Sequence, residues 1–236
     1  MEKRGISHIE FIISFIIFIT FVAFAIFLFN PLKDSNITNS ALPFTVNEIT
    51  KNISIDLTIY SIKINKNLIP VNQKIIAINL PNILTDEQVR VESYTGQVLK
   101  SKKEGNIIYI DFSNEEFVLI KSGKDFLPYS QAFTEKPGIN ENYYVVASSS
   151  SEKIVSEKRL IELNNSYYKN YEELKNNLRV PSQTNFGFAI RFTEQDKIVA
   201  QNQIPQGLDV FSYSKRTEIL RINGESKFTE FEVKIW

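Results

Sequence analysis

Cysteine is absent from this 236-residue chain, and histidine occurs once, at His8. The first absence excludes disulfide staples and thiolate metal sites. The second excludes histidine clusters and the Ser/His or Cys/His pairs of nucleophilic catalysis. Glycine is scarce, with eight in all, and none of them builds a phosphate-binding loop. Charge of one sign is lacking too, since Lys+Arg and Asp+Glu both number 27. Setting aside residues 1–30 removes Lys3, Arg4, Glu2 and Glu10, two of each sign, so no basic face for nucleic acid hides in either part. No catalytic residues, no cofactor and no metal ligands are expected, and the chain does not read as an enzyme.

What is present begins at the N-terminus. From Phe11 to Phe29 the only polar residues are Ser14 and Thr20. Extended back to Ile6, the run is about 24 residues, or ~36 Å of helix, against a hydrocarbon core of ~30 Å. Asn30-Pro31 ends it, and Lys3 and Arg4 precede it. The positive-inside tendency then keeps the N-terminus cytoplasmic and exports the remainder across a single membrane span. Ala23-Phe24-Ala25 offers a signal-peptidase triplet, but Ile26-Phe27-Leu28-Phe29 follows it, and the run exceeds the usual signal core. The phenylalanines at 11, 15, 18, 21, 24, 27 and 29 spiral around such a helix and form no single face.

Lys3-Arg4-Gly5-Ile6-Ser7-His8-Ile9-Glu10, running straight into the apolar stretch, resembles the class III signal sequence of type IV pilins, above all the archaeal form. The resemblance implies a prepilin peptidase that cuts between Gly5 and Ile6 after a leader charged by Lys3 and Arg4. It makes Glu10 the fifth mature residue, placed to neutralise the amino terminus of a neighbouring pilin-like subunit during assembly. A carboxylate in a spanning helix costs roughly 2.5–3.5 kcal/mol at mid-bilayer, so a partner is expected unless it reaches interfacial water. Ile6 fits the archaeal pattern better than the bacterial one. Bacterial pilins also continue their long helix into the head, whereas Pro31 and the lack of 3.6-residue periodicity from Leu32 to Asn52 suggest a minor component here. The alternative is an unprocessed bitopic surface protein that serves as an extracytoplasmic binding module.

The expected organisation is a leader at 1–5, a transmembrane helix at 6–30 and a polar linker at 31–52. A β-sandwich-like domain at 53–127, a second linker at 128–142 and an α+β pilin-like domain at 143–236 follow, so the fold class is α+β, mostly β. In the first domain, Ile53–Ile64, Lys74–Asn79, Gln88–Tyr94, Val98–Lys100, Ile107–Phe112 and Phe117–Lys121 read as short strands separated by Pro and Gly breaks. In the second, Tyr143–Ala147 reads as a strand and Ser148–Ser151 as a flexible tract. Leu160, Leu163, Tyr167, Tyr171, Leu174 and Leu178 mark an amphipathic helix with Ser156 as N-cap. Phe186–Phe192 and Ile198–Gln201 are strands, and Phe211–Ile222 joins Lys227–Trp236 in a hairpin. Its Asn223-Gly224 turn is expected to hold both positions at positive φ.

Tyr167, Tyr168 and Tyr171 are expected to pack on a sheet. Asp111, Glu115 and Glu116 lack calcium-loop spacing and read as a solvated turn, as do Glu194 and Asp196. Asn36, Asn52 and Asn164 begin Asn-x-Ser/Thr sequons and are the candidate glycosylation sites. The implied partners are the prepilin peptidase, other pilin-like subunits and membrane lipid, with no nucleic acid.

Overall fold

The computed structural model describes residues 4–28, 35–80, 82–127, 132–133, 135–193 and 195–236, with side chains at 10–25 and from Ser40 onward within those ranges. The chain divides into two compact units, Met1–Ala41 and Leu42–Trp236. The first contains helix α1 (Arg4–Leu28). Helix α2 (Ser35–Ile53) follows where a polar linker at 31–52 was expected. Thr45, Ile49 and Ile53, four residues apart, are all fully buried. No sequence pattern marks that stripe, because one of its members is a threonine and Pro43 sits inside the helix. Proline there removes the bond to the carbonyl four residues back and crowds that carbonyl, a cost of about 3 kcal/mol that burial of the isoleucines offsets at roughly 1.5–3 kcal/mol each.

The second unit is mostly β. One sheet has eight strands in the order β3-β6-β1-β7-β10-β11-β8-β9. These are β1 (Ser54–Ile64), β3 (Gln88–Ser93), β6 (Phe117–Gly123), β7 (Tyr144–Ser156), β8 (Phe186–Arg191), β9 (Lys197–Ala200), β10 (Phe211–Leu220) and β11 (Ser226–Ile235). The second sheet joins β2 (Ile75–Asn79), β4 (Ser101–Glu104) and β5 (Ile107–Asp111) in the order β2-β5-β4. Strand β1 pairs antiparallel with β6 on one side and β7 on the other. The expected boundary at 128–142 therefore does not separate two folds, because strands from both sides of it share one sheet. Residues 128–131 and 134 lie outside the described set.

Two apolar clusters hold the unit. The larger gathers Tyr60, Ile62 and Ile64 of β1, Ile76 and Ile78 of β2, Val89 and Val91 of β3, Ile108 and Ile110 of β5, and Val118 and Ile120 of β6. It seats the small sheet on one end of the large one. The smaller is Leu57, Phe126, Ile154 and Leu220. The short runs between proline and glycine breaks locate β1, β2, β3, β5 and β6 to within two residues. Val98–Lys100 is not a strand; Val98 makes a single bridge to Glu92, and the strand is Ser101–Glu104. Lysines 102 and 103 hid it, since β4 is an edge strand of charged residues, a common guard against unwanted pairing.

Tyr143–Ala147 extends into a thirteen-residue strand that includes Ser148–Ser151. Serine composition suggested flexibility, but pairing with β1 over Ser148–Val155 fixes the segment as strand. Ser156 then caps helix α3 (Glu157–Lys169), its hydroxyl accepting from the Arg159 N–H at 3.3 Å. The expected single helix breaks at Asn170, whose side chain accepts from the Glu173 N–H and caps α4 (Tyr171–Asn177). The β10–β11 hairpin closes with Gly224 alone at positive φ (80°), not with Asn223 and Gly224 together. The Gly224 N–H bonds the Arg221 carbonyl and the Arg221 N–H bonds the Glu225 carbonyl, so the loop has three residues ending in a left-handed glycine.

Candidate interaction sites

In α1, Arg4, Gly5 and Ile6 are helical in backbone, while their side chains, and Lys3 entirely, lie outside the described set. Glu10 is exposed. So are the apolar side chains on every side of the helix: Phe11 is 71% exposed, Ile17 63% and Phe21 68%. The Thr20 hydroxyl donates to the Ile16 carbonyl at 2.8 Å, which satisfies it within the helix. Among the described residues no helix is long and apolar enough to cross a membrane. Side chains at 10–25 account for about 24 Å of rise, whereas the α1 backbone runs for 25 residues, about 37 Å.

Of the three sequons, Asn36 lies in α2 with its side chain outside the described set. Asn52 is exposed near the C-terminal end of α2. Asn164 is half-buried in α3, with its Oδ1 enclosed and unpartnered. Asp111 turns back on itself by accepting from the Ser113 N–H and Oγ, both at 3.2 Å. Asp196 pairs with Arg221 at 2.8 Å, and Glu194 lies outside the described set. Among the described residues no three His, Asp or Glu side chains converge as a metal site.

The helix tyrosines fasten α3 and α4 to β8 and β9. Tyr167 is buried, donates to the Phe186 carbonyl at 2.7 Å and accepts from the Asn202 N–H at 3.1 Å. Burial holds its hydroxyl well above the ordinary tyrosine range, and burial likewise raises Tyr171. The Tyr171 hydroxyl accepts from the Phe186 N–H at 2.9 Å. Tyr168, although 60% exposed, donates to the Val199 carbonyl at 3.2 Å. Three polar tips thus bond the backbone of the sheet, which gives the stripe a structural role.

What the sequence did not disclose is a groove of about 900 Å³ inside the second unit. Leu42–Lys51 of α2 lie along one wall, and parts of β1, β7 and β10 with Phe231 of β11 form the other. Its cause is topological. Strands β7 and β10 are parallel neighbours, yet they pair only at Ile219↔Val155 and Leu220↔Ser156. From there their N-terminal portions diverge. Residues Val145–Lys153 of β7 and Phe211–Arg216 of β10 are all exposed, on both faces of each strand. Among the described residues no other backbone bond reaches the edges that look into the gap.

The charged side chains around the groove are unpaired. Lys51, Lys153, Lys215, Asp56, Glu152 and Glu218 line it, and none forms an ion pair among the described residues. Arg216 instead lies over the Phe228 ring, 5.5 Å from its centroid. Comparison with family models, with curated proteins and with solved structures returned no match.

Proposed function

We propose that the chain is a type IV pilin-like, membrane-anchored surface protein, a component of a filament or adhesive assembly. The supporting observation is α1 itself: a helix with apolar side chains exposed on every side, one carboxylate at Glu10, and a basic leader ending in Gly5. A helix that is apolar all round needs lipid or other helices around it. In this reading the segment 6–30 spans the membrane with its N-terminus in the cytoplasm, and prepilin peptidase releases residues 1–5. The same segment then joins the helices of other pilin-like subunits, with Glu10 meeting a neighbour's new amino terminus. Helix α2 supports the reading further: it occupies most of the stretch whose missing periodicity argued for a minor subunit, and its buried stripe leads directly into β1. No catalytic role is proposed.

Intact mass and N-terminal sequencing of the protein from its native membranes test this. The expected start is Ile6, lost when Gly5 is replaced. An intact Met1 in cells that process other prepilins overturns it. The groove favours the second reading, an unprocessed single-span protein whose outer unit is a binding module; there Glu10→Ala leaves surface display and partner binding unchanged.

A further inference from the structure

We propose that the gap between β7 and β10 is a strand-acceptor slot for an extended, acidic segment of a partner polypeptide. The backbone defines the class of ligand. Along an unpaired strand edge every second residue presents both an N–H and a C=O, and another extended chain satisfies that row in a way that a helix, a lipid or a small molecule does not. Both β7 and β10 offer such edges, and they face one gap. The shorter exposed stretch, Phe211–Arg216, runs about 20 Å at ~3.3 Å per residue, so an extended segment of roughly six residues can pair along it.

Charge defines the segment's side chains. Val155 lies opposite Ile219, and Lys215 lies opposite Phe231. Alternation by twos therefore puts Lys153 and Lys215 on the Phe231 face of the sheet, and Lys51 of α2 lines the same groove. The carboxylate on that side is Asp56, the register partner of Lys153. Three lysines against one aspartate favour an acidic face on the inserted strand. The opposite side carries Glu152, Glu218 and Arg216 and has no such excess. The slot belongs to the second unit alone, so it stands whether or not residues 1–5 are removed.

The test uses the full chain in detergent with a labelled ten-residue probe that alternates Glu with Val. Fluorescence anisotropy and amide exchange are read together. Saturable binding is expected, with new protection confined to Val145–Lys153 and Phe211–Glu218. The exposed-site double variant K153E/K215E is expected to weaken the acidic probe tenfold or more and to bind a probe carrying Lys in place of Glu. A probe N-methylated at alternate amides keeps its charge but loses its ladder, and its binding is expected to vanish. No saturable binding at millimolar probe, equal binding of the N-methylated probe, or protection elsewhere overturns the proposal. Protection of the same amides by raising protein concentration alone overturns the partner assignment in favour of a second copy.

Discussion

Strands β7 and β10 share one junction, and the molecule is built in opposite ways on its two sides. Beyond Ser156 and Leu220 everything is clasped. The Leu127 N–H bonds the Ile222 carbonyl at 2.7 Å, and Glu157 accepts from the Arg221 Nε at 2.9 Å and from the Ile222 N–H at 2.8 Å. The Arg221 guanidinium lies 3.9 Å from the Phe192 ring centroid. Across the curled sheet, Arg90 of β3 donates to the Asn223 carbonyl at 2.6 Å. On the near side, β7 and β10 separate and neither is covered. The difference shows that strand adjacency alone does not close a sheet; the closed side is held by side chains that reach from distant strands to the hairpin loop.

The sharpest way to break the clasp is at Glu92. Its carboxylate takes Arg90 at 2.6 Å and Lys121 at 2.9 Å, and all three side chains are nearly buried. Glu92→Ala leaves two enclosed cations without a counter-ion, for an expected loss of about 3–5 kcal/mol. Urea unfolding checks it, and a loss under about 1 kcal/mol would show that the clasp does not hold the closed side. Gly224→Ala comes next, at about 2 kcal/mol. Its φ of 80° is costly for an L-residue, and the added Cβ meets the Arg90 Cδ at 2.8 Å and Phe126 at 3.1 Å.

The helix-covered part of the sheet yields a pH signature. Burial raises the hydroxyls of Tyr167 and Tyr171, so the unfolded chain releases those protons at lower pH than the folded one. The native state then binds more protons, and stability falls as pH climbs above about 10, the ordinary tyrosine value. Below that value the contribution is fully present. Tyr167→Phe is expected to cost about 1.5 kcal/mol through the bonds to Phe186 and Asn202. It should also flatten the alkaline decline, followed by phenolate absorbance. An unchanged decline would show that another group drives it.

The same contrast separates what was legible in the sequence from what was not. Period-two alternation marks β1, while β2, β3, β5 and β6 are legible as short apolar runs between proline and glycine breaks, and β2, β3 and β5 bury consecutive residues. The Ser156 cap and the stripe from Leu160 to Tyr167 were legible because α3 is amphipathic. Helix α2 is not legible, since Thr45 stands in its buried stripe and Pro43 in its interior. The serine tract reads as flexible although it is strand, because its order comes from β1, a partner some ninety residues away, and not from its own composition. The sharing of one sheet by the two expected modules, and the groove that results, depend on which edges meet. No local pattern encodes that.

The smallest effect is expected where the sheet is open. Ser150 is exposed and pairs with β1 through Ile59, while its other flank looks into the gap. Ser150→Lys keeps the β1 ladder and buries nothing at this exposed position, so stability should change by about 0.5 kcal/mol or less. The same substitution in a closed-side strand, at Ser122, removes a hydroxyl that donates to Glu87 at 2.8 Å from a fully buried position. There, forcing a lysine into a packed site should cost several times more. If both variants were equally stable, the two sides would not differ as their burial says. If Ser150→Lys alone proved severely destabilising, the open strands would already have a covering partner in the isolated protein, and the split would close in solution.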